Sequence, residues 1–365
     1  MKVAFIYLGR KGGGPVYSLE IAKKLSRRVE LLCVISNQID NLDFWEKAGF
    51  NLYKINTYRN FFEFFVSLLN IKKFFHLYKK VKDFKPEVIY CPFFFFWLPI
   101  INFLFPKTPK IFTVHDPILH SGEKNLLMEI IQKKTIKKTK RVIILSEVFK
   151  EIIHSQGVSL ENIDIIPLGV FNYYLENFKI KKISHSPTLL FFGRVLKYKG
   201  LENLLKAFFL IKKEIPESRL LIVGKGNIKP YRKLLHQQRD IVIENRWIED
   251  EEVGEYFAQS DILVCPYQEA SQSGAIPVAY AFKIPVIATR VGGLVEQVED
   301  GVAGFLVSPN NPQEIAEKCI FLLRNEEKRR EMGENGFKKA KKEWNWEKIT
   351  QKILESLKKA IKFDT

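Results

Sequence analysis

Short apolar runs rich in Val, Ile, Leu and Phe alternate with longer segments of helical periodicity along the whole chain. Such alternation predicts parallel strands joined by right-handed helical crossovers. The runs are apolar at consecutive positions, which is typical of sheets that are covered by helices on both faces. The predicted strands are Val3–Leu8, Val29–Ile35, Val88–Cys91, Lys110–Val114, Arg141–Leu145, Asn162–Pro167, Thr188–Gly193, Arg219–Val223, Ile241–Glu244, Asp261–Cys265, Pro285–Thr289 and Gly304–Val307.

The strands fall into two groups, separated by a polar stretch at 171–187. Twelve strands fit two sheets better than one, and 365 residues fit two domains of roughly 100–200 residues each. We therefore expect an α/β protein with doubly wound parallel-sheet domains at 1–170 and 188–343, joined by a linker and facing a central cleft. Ligands of such sheets bind beyond the carboxyl ends of the strands.

The composition adds a strong basic excess, a formal net charge of +17 from 58 Lys and Arg against 41 Asp and Glu. Residues 1–180 carry 27 basic and 16 acidic residues, so the excess is concentrated in the first half. This balance suits a partner that carries phosphate or an anionic surface, although a general drift of composition towards Lys gives the same count. No nucleic-acid-binding module is recognisable, so nucleic acid is not an expected partner.

Four cysteines lie far apart in the sequence, at Cys33, Cys91, Cys265 and Cys319. This spacing indicates buried thiols of a reducing compartment rather than a zinc site or a redox pair. No Asp-x-Asp pair follows a predicted strand, so we expect no dependence on a metal ion. The apolar stretch at the N-terminus is too short for a signal peptide.

Val88 to Pro106 is a stretch of 19 residues without charge, close to the ~20 that a membrane span needs. It opens with a predicted strand and contains three prolines, which favours a buried or interfacial segment. Two further stretches, 59–80 and 133–141, combine lysines with apolar residues. A helix with aromatic residues on one side and lysines on the other fits a membrane interface, and an ordinary core-facing helix with a solvated lysine face is the alternative.

Glycines and cations follow the first strand of each predicted domain. The turn after the first strand reads Gly9-Arg10-Lys11-Gly12-Gly13-Gly14-Pro15, and a helical pattern follows from about Tyr17. Glycines in such a turn let backbone N–H groups approach an anion at a helix start. A tight turn explains the same glycines. In the second domain, Gly193-Arg194 ends a strand and Lys199-Gly200 precedes a helix. Two cations beyond one strand end suit a diphosphate, whereas solvated surface cations are the alternative.

The second half carries further short motifs in a fixed order. They are 221–226, Pro285–Thr289, Gly292-Gly293 followed by Glu296, and Gly301 followed by Gly304–Val307. Together with Gly193-Arg194 and Lys199-Gly200, this series resembles the retaining GT-B glycosyltransferases, specifically glycosyltransferase family 4. The resemblance runs nearly end to end and is densest in the second half.

The resemblance implies a GT-B fold of two Rossmann-like domains. The C-terminal domain of that family binds a nucleotide-diphosphate sugar, and the N-terminal domain mainly binds the acceptor. The final helix of the family crosses back to the first domain, and the segment 344–365 has the amphipathic pattern for such a helix. Asn345 is a plausible N-cap for it.

Roles for matched residues follow from the same resemblance. Arg194 and Lys199 are expected to stabilise the leaving diphosphate, and His115, of the pair His115-Asp116, is expected near the donor sugar. These three form the expected catalytic set. The expected donor-binding residues are Gly13, Gly14, Gly193, Trp247, Ile248, Glu269, Ser273, Gly274, Ala275 and Glu296.

One position departs from the family pattern. The family has Glu-x7-Glu after the strand that ends at Cys265, and here Glu269 occupies the first position while Pro277 stands at the second. The chain therefore lacks the second carboxylate, which in the family contacts the ribose. It also lacks a pair of carboxylates that could serve as nucleophile and acid.

The expected activity is transfer of a hexosyl unit from a UDP- or GDP-sugar to a hydroxyl of a surface-glycan or lipid-linked acceptor, with retention of configuration and no cofactor. A nucleotide-sugar epimerase of the same fold and a non-catalytic partner subunit are the alternatives. The expected location is the cytoplasm, with peripheral attachment to the inner face of the cell membrane.

Overall fold

The computed structural model describes residues 1–121, 126–180, 186–236 and 240–362. Within these ranges the chain forms two compact units. The first unit comprises residues 1–117, 126–167 and 346–362. The second comprises 118–121, 168–180, 186–236 and 240–345, so a short segment from inside the first predicted domain belongs to the second unit.

The described part of the first unit contains a fully parallel sheet in the order β3-β2-β1-β4-β5-β6-β7. Its strands are β1 Lys2–Tyr7, β2 Glu30–Ser36, β3 Asn51–Ile55, β4 Val88–Cys91, β5 Lys110–Val114, β6 Arg141–Ile144 and β7 Ile163–Ile165. The strand order reverses between β1 and β4, where Phe5 pairs with Cys33 on one side and Tyr90 on the other. The central strands are buried along their length, as their apolar runs predict.

Helices cover this sheet, and two of them follow asparagines that cap their first turn. Asn60 and Asn70 each accept a hydrogen bond from the backbone of the residue three positions later, which caps the helices that follow. The helices are α1 Gly13–Leu25, α2 Leu42–Lys47, α3 Phe61–Leu68, α4 Ile71–Phe84, α5 Leu98–Leu104, α6 Leu126–Lys137 and α7 Lys150–Ser155.

The second unit contains a parallel sheet in the order β10-β9-β8-β11-β12-β13. Its strands are β8 Thr188–Phe192, β9 Arg219–Val223, β10 Ile241–Glu244, β11 Ile262–Cys265, β12 Val286–Thr289 and β13 Gly304–Val307. Its helices are α8 Tyr173–Asn177, α9 Leu201–Glu214, α10 Arg232–His236, α11 Asp250–Ala258, α12 Ala275–Ala281, α13 Leu294–Gln297, α14 Pro312–Arg324 and α15 Glu326–Glu343. The order of the sheet reverses between β8 and β11.

The last helix, α16 Trp346–Lys362, packs within the first unit. The Trp346 ring lies 5.7 Å from the Tyr17 ring of α1, centroid to centroid. Asp164 on β7 accepts two hydrogen bonds from the Arg141 guanidinium, and Ser356 of α16 donates a third. Burial opposes ionisation of Asp164, but these hydrogen bonds outweigh it and lower the pKa of the carboxyl.

The structure differs from the sequence-based expectations at three places. β3 was not among the predicted strands. The first helix was expected from about Tyr17 but begins at Gly13, because Pro15 is tolerated in a first turn whose N–H groups have no intrahelical partner. The stretch expected as a linker contains α8.

Val88 to Pro106 forms β4 and the short helix α5 rather than one long helix. Across the described ranges, every helix is too short or too polar to cross a membrane.

Candidate functional site

The carboxyl ends of β8 and β11 lie side by side where the order of the second sheet reverses. Loops that leave neighbouring strands at such a point diverge and leave a crevice, which is where open α/β sheets bind ligands. The loop after β8 carries Arg194 and Lys199, and the loop after β11 carries Glu269 and Ser273. The structure therefore gathers four of the predicted site residues on two adjacent loops.

The turn that presents Arg194 is built from glycines that approach each other closely. Gly193 and Gly224 have φ angles of 126° and 133°, a region that favours glycine. A Cβ on Gly224 would overlap the carbonyl group of Gly193. The Val195 N–H donates to the Lys225 carbonyl at 3.0 Å, which ties the turn to the loop after β9. Arg194 is exposed on this fixed turn.

Lys199 stands over the loop after β11. Its Nζ lies 3.7 Å from the centroid of the Tyr267 ring, a close cation–π contact. The loops pack tightly beside it, since Gly200 has a φ of 69° and a Cβ there would overlap the Pro266 carbonyl oxygen. The Gln268 N–H also donates to the Tyr198 carbonyl at 2.6 Å. The ammonium position is thus set by the contact between the two loops.

Glu269 does not stand alone on its loop. Its carboxylate accepts hydrogen bonds from the Ser121 backbone N–H, at 3.0 Å, and from the Ser121 hydroxyl. His120 Nδ1 lies 3.7 Å from the same carboxylate. All three residues belong to the second unit, because 118–121 groups with it. The carboxylate expected to bind donor therefore also holds this segment.

His120 completes a small network around Glu269. Its Nε2 accepts the Ser271 N–H at 3.1 Å, so the proton of the neutral ring lies on Nδ1, facing Glu269. The ring stacks on Tyr198 at 4.6 Å between centroids, and Tyr198 directly precedes Lys199. The network thus links the 118–121 segment to both loops of the crevice.

Ser273 is held from several sides. Its N–H donates to Gln297 Oε1 at 2.8 Å, and its carbonyl accepts from Gln297 Nε2 at 3.1 Å. Its hydroxyl lies 3.0 Å from that of Tyr267. The Ser273 amide, expected to contact sugar and phosphate, is thus bonded to Gln297 in this structure. Of the neighbouring positions, Gly274 is exposed and Ala275 is buried.

Trp247 and Ile248 follow β10, the edge strand of the second sheet, and both are partly exposed. Asn245 beside them accepts the Gly226 N–H through its side chain at 2.8 Å. This bond ties the β10 loop to the loop after β9. Glu296 is exposed on the short helix α13.

The remaining predicted residues lie in the first unit. Gly12 and Gly13 are exposed, and Gly12 precedes α1 with a φ of 89°. Gly14 is buried, and a Cβ there would overlap the Tyr7 hydroxyl, so packing alone requires glycine at this position. Packing therefore accounts for glycine at position 14, whereas Gly13 is exposed.

His115 follows β5 and is clamped between aromatic rings. The Phe93 and Tyr17 rings lie 3.8 and 4.7 Å from its own, centroid to centroid. Burial lowers the pKa of His115 to about 4, against the opposing influence of Asp116 and of the Pro92 carbonyl. The ring is therefore neutral at pH 7, and its Nε2 donates to the Pro92 carbonyl at 3.2 Å.

Sequence reasoning did not assign His120, Ser121, Ser271 or Gln297 to the site. The one local signal was the position of His120-Ser121, shortly after His115 at a strand end. In the described ranges, no three His, Cys, Asp or Glu side chains gather in a way that could hold a metal ion.

Comparison with known proteins identifies the family. A family described as Glycosyltransferase Family 4 matches residues 11–171, and one described as Glycosyl transferases group 1 matches residues 175–339. An uncharacterized glycosyltransferase of Methanocaldococcus jannaschii is 30% identical over 319 residues, 80% of each chain. The chain belongs to the group 1 glycosyltransferases.

A second relative and two solved structures extend the comparison. The capsular polysaccharide biosynthesis glycosyltransferase CapM of Staphylococcus aureus is 25% identical over 272 residues, 68% of this chain and 71% of that protein. The structure of Anabaena HepE in complex with UDP and glucose covers 98% of this chain and all of that one, with a TM-score of 0.77 and 20% identity. Sucrose-phosphate synthase of Thermosynechococcus elongatus has a TM-score of 0.75 at 18% identity and covers 98% of both chains. Both structures support the GT-B fold.

Proposed function

We propose that this glycosyltransferase moves a hexosyl unit from a nucleotide-diphosphate sugar to an acceptor hydroxyl, with retention of the anomeric configuration. The observation that carries the proposal is the pairing of the β8 and β11 loops, which fixes Lys199 over Tyr267 and presents Arg194 from a glycine-built turn. A diphosphate is the donor group that two such cations suit best.

In this mechanism the donor diphosphate occupies the crevice beyond β8 and β11. The bond between the anomeric carbon and the β-phosphate oxygen breaks, and negative charge develops on that phosphate. Arg194 contacts it through its planar guanidinium, and Lys199 acts as a point charge. Because both cations are in place before reaction, they stabilise this charge without reorganisation, which is the largest effect available to such a site.

A base must also accept the proton of the acceptor hydroxyl. The chain has Pro277 where the family has its second carboxylate, and Pro277 lies in the first turn of α12, where a proline is tolerated. His115 is a weak base, since its pKa is about 4. We therefore infer that the leaving phosphate accepts the acceptor's proton as the new glycosidic bond forms on the same face of the sugar. Retention of configuration follows from that geometry.

The acceptor class we propose is a surface glycan or its lipid-linked precursor. Similarity to a protein named for capsular polysaccharide biosynthesis supports this choice. The basic first half of the chain is also suited to an acceptor or precursor that carries phosphate. The donor is a UDP- or GDP-sugar.

One observation favours a second candidate, a partner subunit that keeps the fold without turnover. The Glu269 carboxylate is engaged by Ser121, and the second carboxylate of the family pattern is absent. The cation pair argues against this candidate, because a subunit without chemistry has no need of Arg194 and Lys199 on a fixed pair of loops.

Nucleotide release from a panel of UDP- and GDP-sugars tests the proposal. A glycosyltransferase hydrolyses its own donor slowly without acceptor and releases the nucleoside diphosphate. An epimerase converts the sugar without release, and a partner subunit does neither. Absence of release with every donor, in the presence of a lipid-linked acceptor mixture, would overturn the proposed function.

A further inference from the structure

The helices α3 and α4 expose an unusual number of large apolar side chains. Phe62, Phe65, Val66 and Leu69 recur with the i, i+3, i+4, i+7 spacing of one helical face, and Phe62 and Leu69 are 77% and 81% exposed. Ile71 and Phe75 continue this surface onto α4, and we call these six residues the apolar stripe. An exposed face of this kind marks an interaction site rather than ordinary surface.

The stripe is not the face that holds the helices to the unit. Phe64 of α3 is buried and packs on Phe96 at 5.6 Å between ring centroids. Phe74 of α4 is buried against Trp97 at 4.9 Å, and Leu77 lies beneath the same helix. The helices therefore have one apolar face for packing and a second one whose side chains are at least half exposed to solvent.

A basic groove of about 450 Å³ runs along α4 and the edge strand β3. It is lined by Tyr53, Lys54, Ile55, Asn56, Lys73, His76, Lys79, Lys80 and Asp83. Four lysines and one acidic residue around an open groove favour phosphate oxygens as ligands.

The chain segment that carries the stripe is rich in basic residues. Between residues 59 and 85 the chain carries seven basic and two acidic residues. One of the acidic residues, Glu63, accepts the Arg59 N–H and a hydrogen bond from Asn60, so its charge is partly satisfied within the helix start. The segment that carries the stripe is thus strongly cationic.

We propose that the apolar stripe and the basic groove together dock this protein onto the surface of an anionic lipid bilayer. The stripe enters the boundary between headgroups and acyl chains, and the groove holds lipid phosphates. A second copy of the chain is the less suitable occupant, because a twofold contact would bring two cationic surfaces together. Docking needs neither donor nor acceptor, so it is measured separately from transfer.

Sedimentation of the full chain with vesicles tests the apolar part. The wild type is expected to sediment with vesicles that contain phosphatidylglycerol, much less with phosphatidylcholine alone, and less as salt is raised. Phe62→Ser with Leu69→Ser should weaken binding about tenfold or more, since two large apolar side chains no longer leave water. Phe209→Ser with Phe321→Ser, two exposed apolar positions of the second unit, is the matched control and should change nothing.

A charge-reversal pair tests the groove. Lys79→Glu with Lys80→Glu should lower the affinity for anionic vesicles at least about 25-fold, which is a factor of about five for each lysine lost. Lys338→Glu with Lys341→Glu, on the exposed side of α15, makes the same change in net charge and should have a much smaller effect. An equal loss of vesicle affinity in both pairs would show that net charge alone attracts the protein, and would overturn the proposed role of the groove.

Site-specific labelling locates the contact directly. The four native cysteines are buried, so an introduced cysteine takes an environment-sensitive fluorophore selectively. A label at Ile71→Cys should shift to the blue on addition of anionic vesicles, and a label at Phe209→Cys should not. No shift at position 71 while the protein binds vesicles would overturn the proposal, as would a stripe variant that turns a dimer into a monomer and still binds vesicles fully.

Discussion

The Glu269 carboxylate receives both the backbone N–H and the hydroxyl of Ser121, a residue 148 positions earlier in the chain. The two residues lie in one compact unit although β6 and β7 of the other unit separate them in sequence. Because His120 beside Ser121 stacks on Tyr198, this contact also supports the residue that precedes Lys199. Glu269 therefore positions a segment of the crevice, in addition to any contact that it makes with donor.

Glu269→Gln should lower turnover partially, by about tenfold, without unfolding the protein. The amide keeps the size of the carboxylate but accepts the two Ser121 donors less well, and a half-exposed hydrogen-bond pair is worth roughly 0.5–1.5 kcal/mol. Ser121→Ala should weaken the same contact, so the double variant should lose less than the sum of the two single losses. Steady-state kinetics and thermal unfolding of the three variants measure this coupling, and strict additivity would contradict it.

Arg194→Ala and Lys199→Ala should each leave a folded protein with little turnover. Loss of one preorganised charge-stabilising group costs about 10²–10³ in rate, or roughly 2.7–4 kcal/mol. Lys197→Ala is the matched control, because Lys197 is an exposed cation of the same loop. Nucleotide release with a saturating donor is the measurement. Normal turnover in both site variants would remove the basis for the phosphate assignment.

Gly200→Ala should lower the stability of the protein far more than Gly49→Ala does. Gly200 and Gly49 have nearly the same φ, 69° and 71°, so alanine pays the same left-handed strain of about 1–2 kcal/mol at both. At Gly49 a Cβ meets nothing, whereas at Gly200 it overlaps the Pro266 carbonyl. The midpoint of thermal unfolding should therefore fall much further for Gly200→Ala, with turnover lost as the Lys199 loop is displaced. Equal shifts would show that the two loops separate easily.

The His115 ring, packed between Phe93 and Tyr17, should make the protein less stable on the acid side of neutrality. Its pKa is 6.5 when unfolded and about 4 when folded, so between these values only the unfolded chain takes up the proton. Stability is therefore lost as pH falls from about 6.5 to 4, by about 2.5 kcal/mol at pH 4.5, and is unaffected by this group above pH 7.

Urea unfolding at pH 7 and pH 4.5 tests this effect. His115→Gln should narrow the difference in stability between the two pH values, because glutamine takes up no proton. His236→Gln, at an exposed position of α10, serves as the control. If the stability of His115→Gln keeps the full pH dependence of the wild type, packing against Phe93 and Tyr17 does not keep His115 unprotonated.

The product should keep the anomeric configuration of the donor, so that an α-linked donor gives an α-linked product. Retention follows if the departing phosphate takes the acceptor's proton on the face that it leaves. The coupling constant of the product's anomeric proton, measured by NMR, distinguishes the two outcomes. A β-linked product would require attack from the opposite face with a protein base, and His115 or Asp116 would then have to supply it.

Much of the fold could be predicted from the sequence, because parallel strands that are buried on both faces are continuous apolar runs. β3 was not predicted, because its sequence is not a continuous apolar run. It lies at the edge of the first sheet, its polar residues Asn51 and Lys54 are exposed, and of its five residues only Ile55 is buried. Edge strands face water on one side and need not be apolar throughout.

The candidate site was predictable as far as it follows strand ends. Gly193-Arg194 and Lys199-Gly200 stand directly after β8, and local spacing was enough to single them out. The bonds between Ser121 and Glu269 and between Ser273 and Gln297 join distant stretches through side chains. They depend on where the folded chain carries those stretches, and no local pattern contains that information.

Closure of the first unit by α16 sets the order in which the chain can mature during synthesis. The strands β1 to β7 leave the ribosome early, but the helix that buries Ile353 and Leu357 in their unit is made only after the whole second unit. The second unit is complete at residue 345, so it can reach its final packing while the first still exposes the surface reserved for α16. The unit whose strands are translated first is thus completed after the other unit, because its final packing waits for a helix that is made later.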